Sequence, residues 1–136
     1  MSEIYEYNQE GEIYMWSYEK SKNFPGYHMA WTSEGKTNFQ FFLKLLSNSD
    51  PGTFRTLKMN TPSESVLSVP NNRNSKVLPI EKLRIEHSNK LDWSLKIDES
   101  ICNVIVSPKS ANDWFQTIDK VKPQVELRFK EIRFWW

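Results

Sequence analysis

Glycine is scarce in this 136-residue chain, at four residues. Neither a Walker-type phosphate loop nor a dinucleotide-binding fingerprint can be drawn from so few, so nucleotide-dependent chemistry has no visible support. Cysteine is scarcer still: Cys102 stands alone. It can form no intrachain disulfide and no thiolate metal cage, and a reducing compartment is its natural setting. No apolar run approaches the length needed to cross a membrane. The acidic, aromatic stretch from Met1 to Tyr7 lacks the basic and apolar regions of a signal peptide. The expectation is a soluble cytoplasmic protein without a membrane partner.

Excess charge of one sign is also missing. Eighteen Lys and Arg stand against seventeen Asp and Glu, a formal net charge of +1, and no five like charges run together. Arg128 and Lys130 are interleaved with Glu126 and Glu131. Neutralising several phosphates requires a basic face, so nucleic acid is not an expected partner. Aromatics, by contrast, are abundant, with six Trp and eight Phe, and they put much apolar area into few side chains. A chain of this length buries about two-thirds of the surface its unfolded form exposes, enough for one core. A single domain spanning residues 1–136 follows.

The pattern alternates between two periods. Glu12 to Glu19 sets Tyr14, Trp16 and Tyr18 on one side and Ile13 and Met15 on the other, a strand with two apolar faces. Tyr27 to Trp31 reads as a second short strand after the Pro25-Gly26 turn. Phe39, Phe42, Leu43 and Leu46 then follow helical spacing, with Thr37 and Gln40 at capping-box separation. Thr53 to Asn60 is a strand candidate, and Thr61 to Pro79, with three prolines, reads as irregular. Leu83 and Ile85, then Leu91, Trp93, Leu95 and Ile97, alternate on either side of Ser88-Asn89-Lys90 and are expected to form a hairpin with one wet face. Ile101 to Val106 is apolar on both faces and belongs at the centre of a sheet. Ser107-Pro108 offers an N-cap with Pro at the first helical position, and Ala111, Trp114, Phe115, Ile118 and Val121 form the stripe of a second helix. The predicted class is α+β: a mainly antiparallel sheet, with central strands near 83, 93, 103 and 127, and two amphipathic helices packed against it.

Near the C-terminus the alternation Val125, Leu127, Phe129 slips to Ile132, Phe134, Trp136, a change of face that calls for a bulge. Trp135 and Trp136 then point to opposite sides, so one of them should lie outside the core. An edge strand ending in exposed Trp beside Arg133 has the composition of an interface anchor. Arg133, Trp135 and Trp136, with the polar loop Asn71, Asn72 and Arg73, are therefore the candidate protein-interaction residues.

Chemistry is harder to place. His28 and His87 have no partners at metal-ligand spacing, and no metal site is expected. No Gly-x-Ser-x-Gly elbow is present, and Cys102 falls within a strand, where a buried inert thiol is expected. Asp92, Asp98, Glu99, Asp113 and Asp119 fall mainly on wet faces or turns. His28 among Tyr27 and Trp31 is the one candidate proton carrier, and His28 with Trp31 forms the alternative reading: a small-molecule pocket or enzyme site. No cofactor is implied.

Arg55-Thr56-Leu57, Val69-Pro70-Asn71-Asn72-Arg73, Trp93-Ser94-Leu95 and Arg133-Phe134-Trp135-Trp136 together resemble an uncharacterised group of small bacterial proteins, over the C-terminal two-thirds of the chain. The resemblance implies a bacterial single domain and transfers no functional motif. By analogy with small bacterial proteins that serve as partners of others, such as immunity proteins that block a toxin, the leading expectation is a non-catalytic, protein-directed binding module, with a homodimer as a further possibility.

Overall fold

In the computed structural model, residues 3–19, 26–68, 76–121 and 127–135 are described. After a 3₁₀ turn at Glu3–Glu6 come strands β1 (Ile13–Glu19) and β2 (Tyr27–Trp31), helix α1 (Ser33–Ser47), strand β3 (Phe54–Lys58) and a short helix α2 (Glu64–Ser68). Strands β4 (Lys76–Pro79), β5 (Lys82–His87), β6 (Trp93–Asp98) and β7 (Ile101–Val106) follow, then helix α3 (Pro108–Asp119) and strands β8 (Leu127–Phe129) and β9 (Ile132–Phe134). The class is α+β, as the two periodicities predict. The strands form two sheets rather than one: β4-β1-β2-β9-β8 and β3-β5-β7-β6. Each is mostly antiparallel, with one parallel pair apiece, β2 with β9 and β5 with β7.

The inner faces of both sheets and the apolar stripes of α1 and α3 meet in one main core. Ile13, Met15, Met29, Ile132 and Phe134 come from the first sheet, and Leu57, Leu83, Ile85, Cys102, Val104 and Val106 from the second. Phe39, Phe42, Trp114 and Ile118 have no exposed surface, as their helical spacing requires. Trp93, Trp114 and Phe129 form a contiguous aromatic group with centroids 5.1–6.0 Å apart. Such offset and edge-on pairs add about 0.5–1.5 kcal/mol each beyond burial.

The second helix starts where Ser107-Pro108 places it. Ser107 Oγ accepts from Ser110 N at 3.1 Å, and Ser110 Oγ accepts from Ser107 N at 2.9 Å, a reciprocal box with Ser rather than Glu at the third position. The first helix starts a turn before the expected Thr37. Thr32 is its N-cap, its Oγ1 accepting from Gly35 N at 3.1 Å and from Glu12 N at 3.0 Å. Gly11 and Gly35 make this junction possible: a Cβ on Gly35 would stand 2.1 Å from the Glu12 carbonyl oxygen, and one on Gly11, at φ 76°, 2.2 Å from Gly35 N.

Five further expectations are corrected. The segments around Leu83 and Trp93 are not a hairpin, because β7 lies between β5 and β6, parallel to one and antiparallel to the other. Ser88-Asn89-Lys90 is a local turn whose Ser88 N–H donates to Val106 O, so the chain crosses over instead of folding back. Strand β7 is central as expected, while the segments near 93 and 127 are edges of different sheets. The stretch Thr61 to Pro79 carries both α2 and β4, with Val66 and Leu67 packed against the first sheet. The slip after Phe129 is a two-residue hairpin turn and not a bulge: Phe129 faces Ile132 across the β8–β9 pair, with Lys130 at φ 54°. Phe129, Ile132 and Phe134 therefore all reach the same core. Strand β9 is not an edge, since it sits between β2 and β8.

Candidate functional site

The outer face of the first sheet holds the candidate His28, and strand pairing explains its surroundings. In the β1–β2 ladder Trp16 lies directly opposite His28, and in the parallel β2–β9 ladder Arg133 lies opposite it on the other side. Trp135, two residues beyond Arg133, continues that ladder through its own N–H to Met29 O at 3.0 Å. Because alternate residues of a strand share a face, Trp16, Tyr18, His28, Ala30 and Trp135 converge.

The result is a closed aromatic box. The imidazole stacks against Trp16 with centroids 5.6 Å apart at 20°, and against Trp135 at 6.0 Å and 25°. Tyr18 meets it edge-on at 5.0 Å. Trp135 Nε1 donates to His28 Nδ1 at 2.9 Å, which makes Nδ1 an acceptor and leaves the proton of the neutral ring on Nε2. His28 has no exposed surface, and Val66, Leu67 and Val77 pack against the same cluster. Burial also raises the Tyr18 hydroxyl above the usual phenol range, so it stays protonated and neutral. A general acid or base must reach its substrate, and among the described residues the imidazole has no exposed surface.

The alternative pocket joined His28 to Trp31, and the structure separates them. Three positions apart on β2, they point to opposite sides: His28 into the outer cluster, Trp31 into the main core against Phe134 at 5.5 Å. The Trp31 indole N–H has no hydrogen-bond partner among the described residues. Of the proposed interaction residues, Trp135 faces away from the main core. It is nonetheless only 8% exposed, because the second cluster covers it. Arg133 is half-buried beside His28 and opposite Arg128. Trp136, Asn71, Asn72 and Arg73 lie outside the described residues.

The second histidine and the cysteine are enclosed as well, whereas Asp92, Asp98, Glu99, Asp113 and Asp119 are exposed. His87 is buried at the end of β5, with Ser49 Oγ 3.4 Å from its Nδ1. Cys102 is fully buried in β7, and burial together with the negative charge of Glu131 pushes its thiol up to about 12. Among the described residues no three His, Cys, Asp or Glu side chains are placed to hold a metal ion. No helix among them is long and apolar enough to cross a membrane.

Sequence reasoning missed one exposed feature. Phe41 on α1 is 52% exposed, with a shallow hollow on either side. It falls between the stripe residues Phe39 and Phe42, so one aromatic on the wrong helical face was the available signal. Compared with known protein families and with curated proteins, the sequence matches none.

Proposed function

We propose that the chain is a binding module directed at another protein, an immunity-type or regulatory partner, which acts by covering a surface of its target and performs no reaction of its own. The supporting observation is the contrast between inside and outside. His28, His87 and Cys102 are packed away from solvent, whereas Phe41, Phe54, Leu78 and Leu91 each present a large apolar side chain to it. A catalyst needs its titratable groups in reach of a substrate; a docking protein needs rigid apolar anchors on a stable scaffold.

The test is in-cell cross-linking of the tagged chain, followed by reconstitution with whatever protein is recovered. A stoichiometric complex with a dissociation constant below about 1 μM, near −8 kcal/mol, is the expected result. A thermal-shift screen against small metabolites runs beside it, because a ligand that binds the folded state raises the midpoint by mass action. A metabolite that raises the midpoint, with no protein recovered, overturns the reading.

A further inference from the structure

We infer that the α1 surface centred on Phe41 is the docking site, and that its occupant is a protein presenting an apolar socket framed by Lys or Arg side chains; the inference rests on the protein-binding reading above. Among the described residues Phe41 is one of four large apolar side chains that are exposed, and it differs from the other three in its setting. The guanidinium of Arg84 covers the Phe54 ring at 4.0 Å. Leu78 stands on the edge strand β4, and Leu91 beside the Ser88 turn. Phe41 has no ring or cation contact among the described residues. It stands between two hollows, one lined by Glu10, Ser33, Glu34, Thr37 and Asn38, the other by Glu6, Tyr7 and Leu45.

A single exposed apolar residue is ordinary on a protein surface. The rim makes this one different. Glu6, Glu10 and Glu34 are all exposed, and among the described residues none of them forms an ion pair. Three carboxylates around one aromatic thus concentrate negative charge in a chain whose net charge is +1. The nearest arginine does not offset them by pairing. Arg55 directs its guanidinium to the backbone oxygens of Ile4, at 2.6 Å, and Tyr7, at 3.3 Å.

The platform is also rigid. Tyr7 donates its hydroxyl hydrogen to Asn38 Oδ1, Asn38 Nδ2 donates to Asn8 O at 3.1 Å, and the Tyr7 ring packs on Phe42 at 5.0 Å. The N-terminal segment carrying Glu6 and Glu10 is thereby fixed against the helix carrying Phe41 and Glu34. An aromatic anchor with three carboxylates on its rim, beside which Lys44 on α1 and Arg55 over the Tyr7 ring are the cations, fits the usual anatomy of an interface, in which the anchor supplies affinity and the rim supplies association rate and selectivity.

The probe is a synthetic amphipathic peptide of Leu and Lys, titrated into the isotope-labelled full chain and followed by backbone amide shifts. Its counterpart of Leu and Glu serves as control. The Lys peptide is expected to move the resonances of Thr37, Phe41 and Leu45 while leaving those of β6 in place, with an affinity that weakens as salt rises. Phe41→Ala, which removes a half-exposed side chain, is expected to keep the circular dichroism spectrum and weaken binding at least tenfold. The triple change of Glu6, Glu10 and Glu34 to Gln should flatten the salt dependence. Equal binding of the Glu peptide, shifts centred elsewhere, or an unchanged affinity in Phe41→Ala would overturn the site. If cross-linking recovers the same protein with wild type and with Phe41→Ala, this surface is wrong and the binding-module reading stands; if no protein is recovered, the reading itself falls.

Discussion

Replacing Trp135 by Ala removes a wall of the His28 box and the indole N–H that donates to His28 Nδ1. A buried indole carries roughly 150–250 Å² of surface. At about 25 cal/mol per Å² its burial is worth about 4–6 kcal/mol as an upper bound, in line with the ~3–5 kcal/mol typical of Trp→Ala changes. Leaving a buried acceptor without its donor adds about 1–3 kcal/mol. A domain of this size has a total stability of about 5–15 kcal/mol, so Trp135→Ala should consume much of it. Trp135→Phe keeps a ring and loses the donor, for about 1–3 kcal/mol. With a urea dependence of about 2 kcal/mol per molar, the unfolding midpoint should fall by about 2–4 M for Ala and about 1 M for Phe. Leu91→Ala, at an exposed position, should change stability by less than about 0.5 kcal/mol. Urea titration followed by circular dichroism provides the readout. A Trp135→Ala midpoint within about 0.3 M of wild type would refute the reasoning, and with it the claim that Trp135 is committed to packing rather than held out for a partner.

Three further outcomes follow from the same geometry. Gly35→Ala forces a Cβ into the Glu12 carbonyl oxygen and should cost about 2–4 kcal/mol in a thermal melt, far above the usual gain from replacing Gly in a helix. The Cys102 thiol should resist alkylating reagents at pH 8 in the native chain and react at once in denaturant, because it is buried and stays protonated up to about 12. Since this folded value lies above the unfolded one of 9.0, the thiol's contribution is fully present below pH 9 and is lost as pH rises from 9 towards 12, by about 1.4 kcal/mol per pH unit while it alone titrates; a Cys102→Ala variant should show a shallower alkaline decline in stability. Ser107→Ala removes the α3 cap and should cost about 1 kcal/mol, measured as a shift in urea midpoint.

The helices were legible because their signals are local: the 39, 42, 43, 46 spacing and the Ser107-Pro108 start each lie within one or two turns. Sheet order was not. A short polar turn after His87 has the chemistry of a hairpin, yet β6 and β5 are kept apart by β7, which pairs with both and comes later in the chain. Periodicity reports which face is buried and is silent about the neighbour. The same limit hid the outer aromatic box: Tyr14, Trp16 and Tyr18 declared a second apolar face, but their covering residues Val66 and Leu67 sit in a proline-flanked segment too short for a helical period. The phase slip at Phe129 was visible, and its cause, a turn with Lys130 in a left-handed conformation, carries no glycine to announce it. For the candidate site, the reading found His28 and missed Phe41, since exposure is a property of the assembled surface.

The parallel pairing of β2 with β9 has a consequence for how the chain is made. The contact between Trp135 and His28 spans 107 residues of sequence, and Met29 and Phe134 are ladder neighbours. During synthesis β1 and β2 emerge before β9 and can pair with each other, but the side of β2 that receives β9 stays open until the segment between them has been translated. Loop closure over that distance makes this step slow compared with helix formation. Throughout that interval an unpaired strand edge and the uncovered Trp16 and His28 are presented to other nascent chains, the situation that favours aggregation. Translation speed, chaperone supply and expression temperature should therefore govern the yield of folded protein more than its final stability does, and a ribosome stalled before β9 holds a chain that cannot complete its first sheet.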